Sequence, residues 1–211
     1  MSSFGSTWWG KRWLRTLEQL GLTYPDNRIS RARTLVNKEA VDLVTAEPGE
    51  LSAWVDEPRK SFGVVVRLPV YSEHDWEVFD ECVAARLGNF AELLDDRLPT
   101  AIDRQLEPFG LSLFPAEGEL KVECPCKDRR EVCVHVIAVQ HAFADLLDDD
   151  PFLLCVLRGR DRLALLDGLR SARKPAAAAP ALDEAVPIAT IPAESFYAAK
   201  GSLDAALSRG F

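Results

Sequence analysis

Several things are missing from this 211-residue chain, and each absence removes a class of function. No apolar run approaches the roughly 18 residues that a membrane-crossing helix needs. The opening MSSFGSTWWGKRW lacks the apolar centre of a secretory signal, so a cytoplasmic location is expected. Positive charge is in deficit: 25 Lys and Arg against 33 Asp and Glu leave a net −8, which argues against a protein that coats nucleic acid indiscriminately. No internal repeat is seen. What remains is a globular composition, 47% apolar and 9% aromatic, long enough to bury a real core.

The charge is unevenly spread. Residues 1 to 40 carry seven basic against three acidic side chains, residues 41 to 120 six against seventeen, and residues 121 to 170 eight against nine. Contact with a polyanion is therefore expected at the basic beginning or near the cysteines, with the acidic middle facing away.

Hydrophobic spacing gives the organisation. Trp8, Trp9, Trp13, Leu14, Leu17 and Leu20 follow Ser6 and Thr7 at near-helical intervals and predict a capped helix ending near Gly21. From Arg31, RARTLVN, AVDLVTA, ELSAWVD and SFGVVVRLPV are β-rich and separated by turn-like NKE, EPG and EPRK, which predicts a four-stranded antiparallel meander. Ser72 and Asp75 form a capping-box pattern before a helical face of Trp76, Phe79, Val83, Leu87, Phe90 and Leu94. A further helix is expected over 99 to 109, a strand through Leu120, Val122 and Cys124, a helix over 136 to 147, an apolar run over 152 to 157 after the start signal Asp150-Pro151, and beyond Gly159 a last helix running to Arg170. The fold class is thus α+β, over residues 1 to 170. Residues 171 to 187 read as an Ala/Pro-rich linker, and 188 to 211 as a short docking segment.

ECPCKDRREVCVHVIAVQHAF, residues 123 to 143, holds three of the five cysteines and two of the three histidines. In a reducing compartment such a cluster binds metal or does redox work more often than it forms disulfides. Cys124, Cys126, Cys133 and His135 make one complete tetrahedral set for Zn²⁺. Alternation along a strand lets Cys124 and Cys126 converge, with Pro125 between them. Residues two apart in a helix diverge, so Cys133 must stand at a helix entrance and His135 in its first turn. The positive end of the helix dipole there favours thiolate. Lys127, Arg129 and Arg130 could offset the surplus negative charge of three thiolates.

The pattern Cys124-x-Cys126, six residues, Cys133-x-His135 resembles the SWIM zinc finger. The opening FGSTWWGKRWLRTLE, the strand-rich segment and DPFLLCVLRGRDRLALLDGLR resemble a bacterial family of stand-alone SWIM proteins, so the likeness spans most of residues 4 to 170. The stretch around Phe196 is weakly similar to a downstream aromatic motif in which a Trp commonly follows the Phe; Tyr197 stands there instead. The resemblance implies a ββα-like zinc knuckle, a role in DNA or protein interaction, and a Swi/Snf-type helicase-like ATPase as partner.

Other chemistries fit less well. A thioredoxin-type site uses two residues between its cysteines, not one. A nucleobase deaminase needs His-x-Glu and Pro-Cys-x-x-Cys; Pro125-Cys126 is present, but no cysteine stands at 129. A hydrolytic zinc keeps an open position. With four ligands the site is closed, and no enzyme is expected; His141 reads as a residue that supports a ligand from behind or lies at the surface, not as a fifth ligand. Cys82 and Cys155 read as small buried groups, and His74 carries no special signal. The tryptophans near the start are expected in the core, although with Lys11, Arg12 and Arg15 they could stack bases and hold phosphates. Arg28, Arg31 and Arg33 would alternate on an edge strand, either tracking phosphates or protecting the edge. Arg158, Arg160 and Arg162 are expected to bridge to Asp148, Asp149 and Asp150 rather than to bind phosphate. The expectation is a zinc-stabilised accessory protein that touches a helicase-like ATPase, DNA or both. The alternative is a nucleic-acid binder acting without a partner.

Overall fold

The computed structural model describes residues 4–128, 130 and 132–173. The expected linker, the docking segment and Arg129 lie wholly or almost wholly outside the described residues.

Helix α1 spans Trp8–Gln19 and starts where Thr7 caps it, its side chain accepting from the Gly10 N–H. Helix α2 spans Asn27–Asn37, and Asp26 caps it by accepting from the Arg28 N–H. This second helix corrects the sequence expectation, which made RARTLVN the first strand. Ile29 and Ala32, three apart, turn one face of α2 inward, and with a side-chain cap at its start the segment follows the helical period rather than the β-propensity of its Leu-Val pair.

The sheet starts afterwards. β1 (Val41–Glu47), β2 (Glu50–Glu57) and β3 (Lys60–Arg67) form a meander, and the fourth strand, β4 (Lys121–Glu123), pairs antiparallel with β3, Val66 opposite Val122. The four-stranded antiparallel sheet is therefore present, but its fourth member arrives only after a helical insertion. Alternation sorts the faces: Leu51, Ala53, Val55, Phe62, Val64 and Val66 are buried, while Trp54 is 50% exposed on the opposite side. On edge strand β1 the register shifts between Asp42 and Thr45, with Leu43 at φ 50°, a bulge that blunts further pairing.

In the insertion, α3 (Glu73–Ala84) carries the expected capping box of Ser72 and Asp75. The predicted continuous face breaks after α3. A separate α4 (Leu87–Leu94) buries Leu93 and leaves Leu87 and Leu94 exposed. α5 (Ile102–Leu106) and a 3-10 turn (Glu107–Phe109) follow.

The central helix is α6 (Val134–Asp149), with twelve of its sixteen residues buried. It packs against the sheet, α1 and α2. At Gly10 the α1 backbone comes so near α6 that an added Cβ would lie 3.2 Å from the Ala144 carbonyl oxygen and collide with Asp148. Asp148 in turn accepts from the Ser6 and Thr7 N–H groups and the Thr7 hydroxyl. α7 (Leu153–Leu157) and α8 (Arg162–Ala172) complete the described chain, α8 lying against α3. No helix among the described residues is long and apolar enough to cross a membrane.

Candidate metal centre

Three elements deliver the four donors. β4 ends at Glu123, so Cys124 leaves the sheet edge and Pro125 turns the chain to Cys126. Lys127, Asp128, Arg130 and Val132 stand between this turn and α6 in the chain. Cys133 is the N-cap of α6, with extended φ −89° and ψ 173°, and His135 occupies the first turn. The cap geometry resolves the spacing problem, because a residue in extended conformation followed by helix can aim with its second neighbour at one point.

The donor atoms of Cys124, Cys126, Cys133 and His135 all lie within 4.8 Å of one another. His135 Nδ1 is 3.6 Å from Cys124 Sγ and 3.8 Å from Cys133 Sγ. With metal–sulfur bonds near 2.3 Å and metal–nitrogen bonds near 2.0 Å, a tetrahedral shell has sulfur–nitrogen edges of roughly 3.5 Å. The two sulfur–nitrogen distances lie close to that edge, and these four residues could hold a metal ion. Burial pushes the Cys124 thiol up to about 12 and the Cys133 thiol up as well, so without a cation beside them both sulfurs stay protonated at neutral pH. A bound cation inverts that preference and takes the thiolates.

The imidazole is held from two further sides. Its Nε2 is 3.2 Å from Glu57 Oε1 at the end of β2, and its ring stacks on Phe62 of β3 at 4.3 Å between centroids and 21° between planes. Lys60 lies over the other reach of that aromatic system, 5.0 Å from the Phe62 centroid. Glu57 and Phe62 are functional neighbours that sequence reasoning missed. Glu57 read as part of an EPRK turn, and only the hairpin register, with Val55 opposite Phe62 and Glu57 opposite Lys60, brings both to His135. Arg28 is likewise recruited: it pairs with Asp26 and donates to the Val132 carbonyl, immediately before Cys133. Its hydrogen bonds hold the Asp26 carboxyl down to about 2, as Arg130 does for Asp128.

The basic residues singled out from sequence do not gather into one surface. Lys11, Arg12 and Arg15 line a cleft between α1 and the insertion, where Arg12 pairs with Asp103 at 2.7 Å. Arg31 and Arg33 are exposed on helix α2, so the alternating edge strand expected for them is not there; Arg33 Nε approaches His141 Nε2 at 3.5 Å. Lys127 is exposed beside the cluster, and Arg130 pairs with Asp128 at 2.6 Å. Arg129 lies outside the described residues. Trp9 and Trp13 are core, 7% and 0% exposed, whereas Trp8 is only half-buried and stays on the cleft wall.

The expected bridges to Asp148, Asp149 and Asp150 do not form. Arg158 is 3% exposed and donates to the carbonyls of Leu113, Pro69, Ser112 and Phe114 and to Glu119, while Arg160 pairs with Asp80 and Arg162 with Asp96. Each reaches back to the helical insertion, against whose α3 helix α8 packs. His141 is no surface residue: it is 2% exposed, and its Nδ1 sits 2.9 Å from the Ile137 carbonyl. Burial lowers its basicity. Cys155 is fully buried, Cys82 half-buried, and all five cysteines are unpaired. His74 is exposed.

No protein-family model and no solved structure matches the chain. A curated relative from Mycobacterium tuberculosis (strain ATCC 25618 / H37Rv), named "Uncharacterized protein Rv2102", is 32% identical over 189 residues, covering 89% of this chain and 67% of the relative. At that identity and coverage, the chain belongs to the same family as this mycobacterial protein.

Proposed function

We propose that the protein is a non-enzymatic, cytoplasmic accessory factor whose SWIM-type knuckle is organised by one structural Zn²⁺. It would mediate contact with a helicase-like ATPase, with DNA, or with both. The observation that carries this reading is the complete S₃N set of Cys124, Cys126, Cys133 and His135 at one point. Three sulfurs and an imidazole suit zinc better than magnesium or calcium, which take oxygen donors. Four protein donors fill a tetrahedral shell, which supports a structural rather than a hydrolytic role.

The ion would supply what the local sequence lacks. β4 is three residues long, and among the described residues Lys127, Asp128 and Arg130 stand outside any helix or strand with Val132 as the one buried apolar side chain beside them, so little holds the path between the sheet edge and α6. A structural zinc can contribute on the order of 10 kcal/mol of apparent folding free energy. The knuckle then presents Lys127 and Arg130 on a fixed frame.

The test is capture of partners from the native cell by the full chain and by a His135→Ala variant. A helicase-like ATPase retained by the first and lost by the second supports the proposal. Retention of no such ATPase by the metal-loaded chain removes the partner from it. The alternative, DNA binding without a partner, is favoured if the purified chain alone binds DNA with an affinity that falls as salt rises.

A further inference from the structure

The cleft beside α1 has a volume of about 930 Å³, within the range of ligand sites, and none of the cysteine-cluster residues lines it. Five cations and four carboxylates line it, a positive balance in a chain of net −8. The pairs inside it are not equivalent. Asp103 is tied to Arg12, Glu119 to Arg158, and Asp75 to the Ser72 cap. Lys11, Arg15 and Arg104 are exposed and have no carboxylate within ion-pair distance among the described residues, leaving Glu107 as the remaining acid.

The lining also includes Trp8, Pro69, Val70, Leu111 and Phe114. Trp8 is anchored through its indole N–H to the Leu98 carbonyl at 3.2 Å, which fixes the ring while leaving it half-exposed. Val70, also in the lining, is 50% exposed. The Tyr71 hydroxyl, on a residue that also lines the cleft, is buried with no hydrogen-bond partner among the described residues. An anchored aromatic ring, exposed apolar lining and three uncommitted cations together suit a ligand that is planar and apolar in one part and anionic in another.

We infer that this cleft is a recognition site for an unpaired nucleotide unit, its base against Trp8 and its phosphates toward Lys11, Arg15 and Arg104. A base inside a duplex has no free face to offer, so the unit comes from a single strand or from a free nucleotide. The inference deepens the nucleic-acid side of the proposed function, yet it stands on the cleft and not on the metal.

The experiment measures binding of the metal-loaded full chain to an end-labelled oligo-dT of about eight nucleotides, and to a free mononucleotide, at several salt concentrations. Three phosphate contacts predict a slope of log affinity against log salt of about −2, and Lys11→Ala, Arg15→Ala or Arg104→Ala should each flatten it by about 0.7. Trp8→Ala should weaken binding about tenfold or more. Lys121→Ala and Arg59→Ala, outside the cleft, should change nothing.

Binding of the oligonucleotide alone identifies the ligand as a strand, and binding of both ligands identifies the nucleotide unit as sufficient; either supports the inference. No binding at about millimolar ligand overturns it. So does binding that is lost in Lys127→Ala or Arg130→Ala but not in the cleft variants, although that result would keep DNA recognition and move it to the knuckle. Metal content measured on every variant keeps the two readings apart, since its loss would count against the knuckle and not against the cleft.

Discussion

Replacing Glu57 with alanine should weaken metal binding without weakening the metal-free fold. The His135 ring is 6% exposed by side chain and has two nitrogens to satisfy, Nδ1 toward the sulfurs and Nε2 toward Glu57 at 3.2 Å. A carboxylate on the far nitrogen fixes the tautomer that leaves Nδ1 unprotonated, and loss of such a partner typically costs 10- to 100-fold in metal affinity, or about 1.4 to 2.8 kcal/mol. In the apo protein the same pair is partly exposed, with the Glu57 side chain at 37%, so its removal should shift unfolding by less than about 1 kcal/mol. Glu57→Gln keeps an oxygen acceptor and should retain most of the affinity, which separates hydrogen-bond orientation from charge. The assay is competition for zinc against a chromophoric chelator, with urea unfolding of the apo proteins as control. An Ala variant within twofold of the parent would show that Phe62 stacking alone orients the ring and would refute the reasoning.

Other outcomes follow from single side chains. Arg158→Lys removes a planar fork that serves four carbonyls and Glu119 at a buried site, which an ammonium cannot replace; a loss of about 3 to 5 kcal/mol is expected in urea unfolding. Asp148→Ala strands the Ser6 and Thr7 N–H groups and should cost about 1 to 3 kcal/mol at neutral pH. Burial raises the Asp148 carboxyl, but hydrogen bonds from Thr7 and Ser6 outweigh it and leave it below the ordinary 3.8. Its contribution is therefore present above about pH 4 and lost as pH falls through the depressed folded value, so parent and variant unfolding curves should converge in acid. In mild denaturant, which opens the metal-free knuckle, thiol counting should find three more reactive cysteines after chelation, from Cys124, Cys126 and Cys133, and a Cys155→Ala chain should keep its metal.

The sequence was most readable where local chemistry decides structure. Thr7 and Ser72 with Asp75 are side chains that cap helices by bonding backbone a few residues on, and α1 and α3 begin there. The metal cluster was readable for the same reason: Cys-x-Cys at a strand end and Cys-x-His at a helix start are constraints within a dozen residues. RARTLVN misled because its Leu and Val also suit a strand; what settles it is packing of α2 on α6, a contact no local pattern contains. The fourth strand hid because β4 has three residues and pairs with β3 across more than fifty intervening positions. Glu57, Arg28 and Arg158 share that limitation. Their partners are 78, 104 and 39 to 89 residues away, so their roles exist only once the chain has closed.

Cobalt substitution tests the central claim most directly. The full chain, stripped and titrated with Co²⁺, should take up one ion with strong visible absorption of a tetrahedral site and thiolate-to-metal charge transfer from three sulfurs, and His135→Ala should alter that spectrum. A weak, octahedral spectrum, or binding that persists unchanged when Cys124, Cys126 or Cys133 is replaced by serine, would contradict a closed S₃N centre.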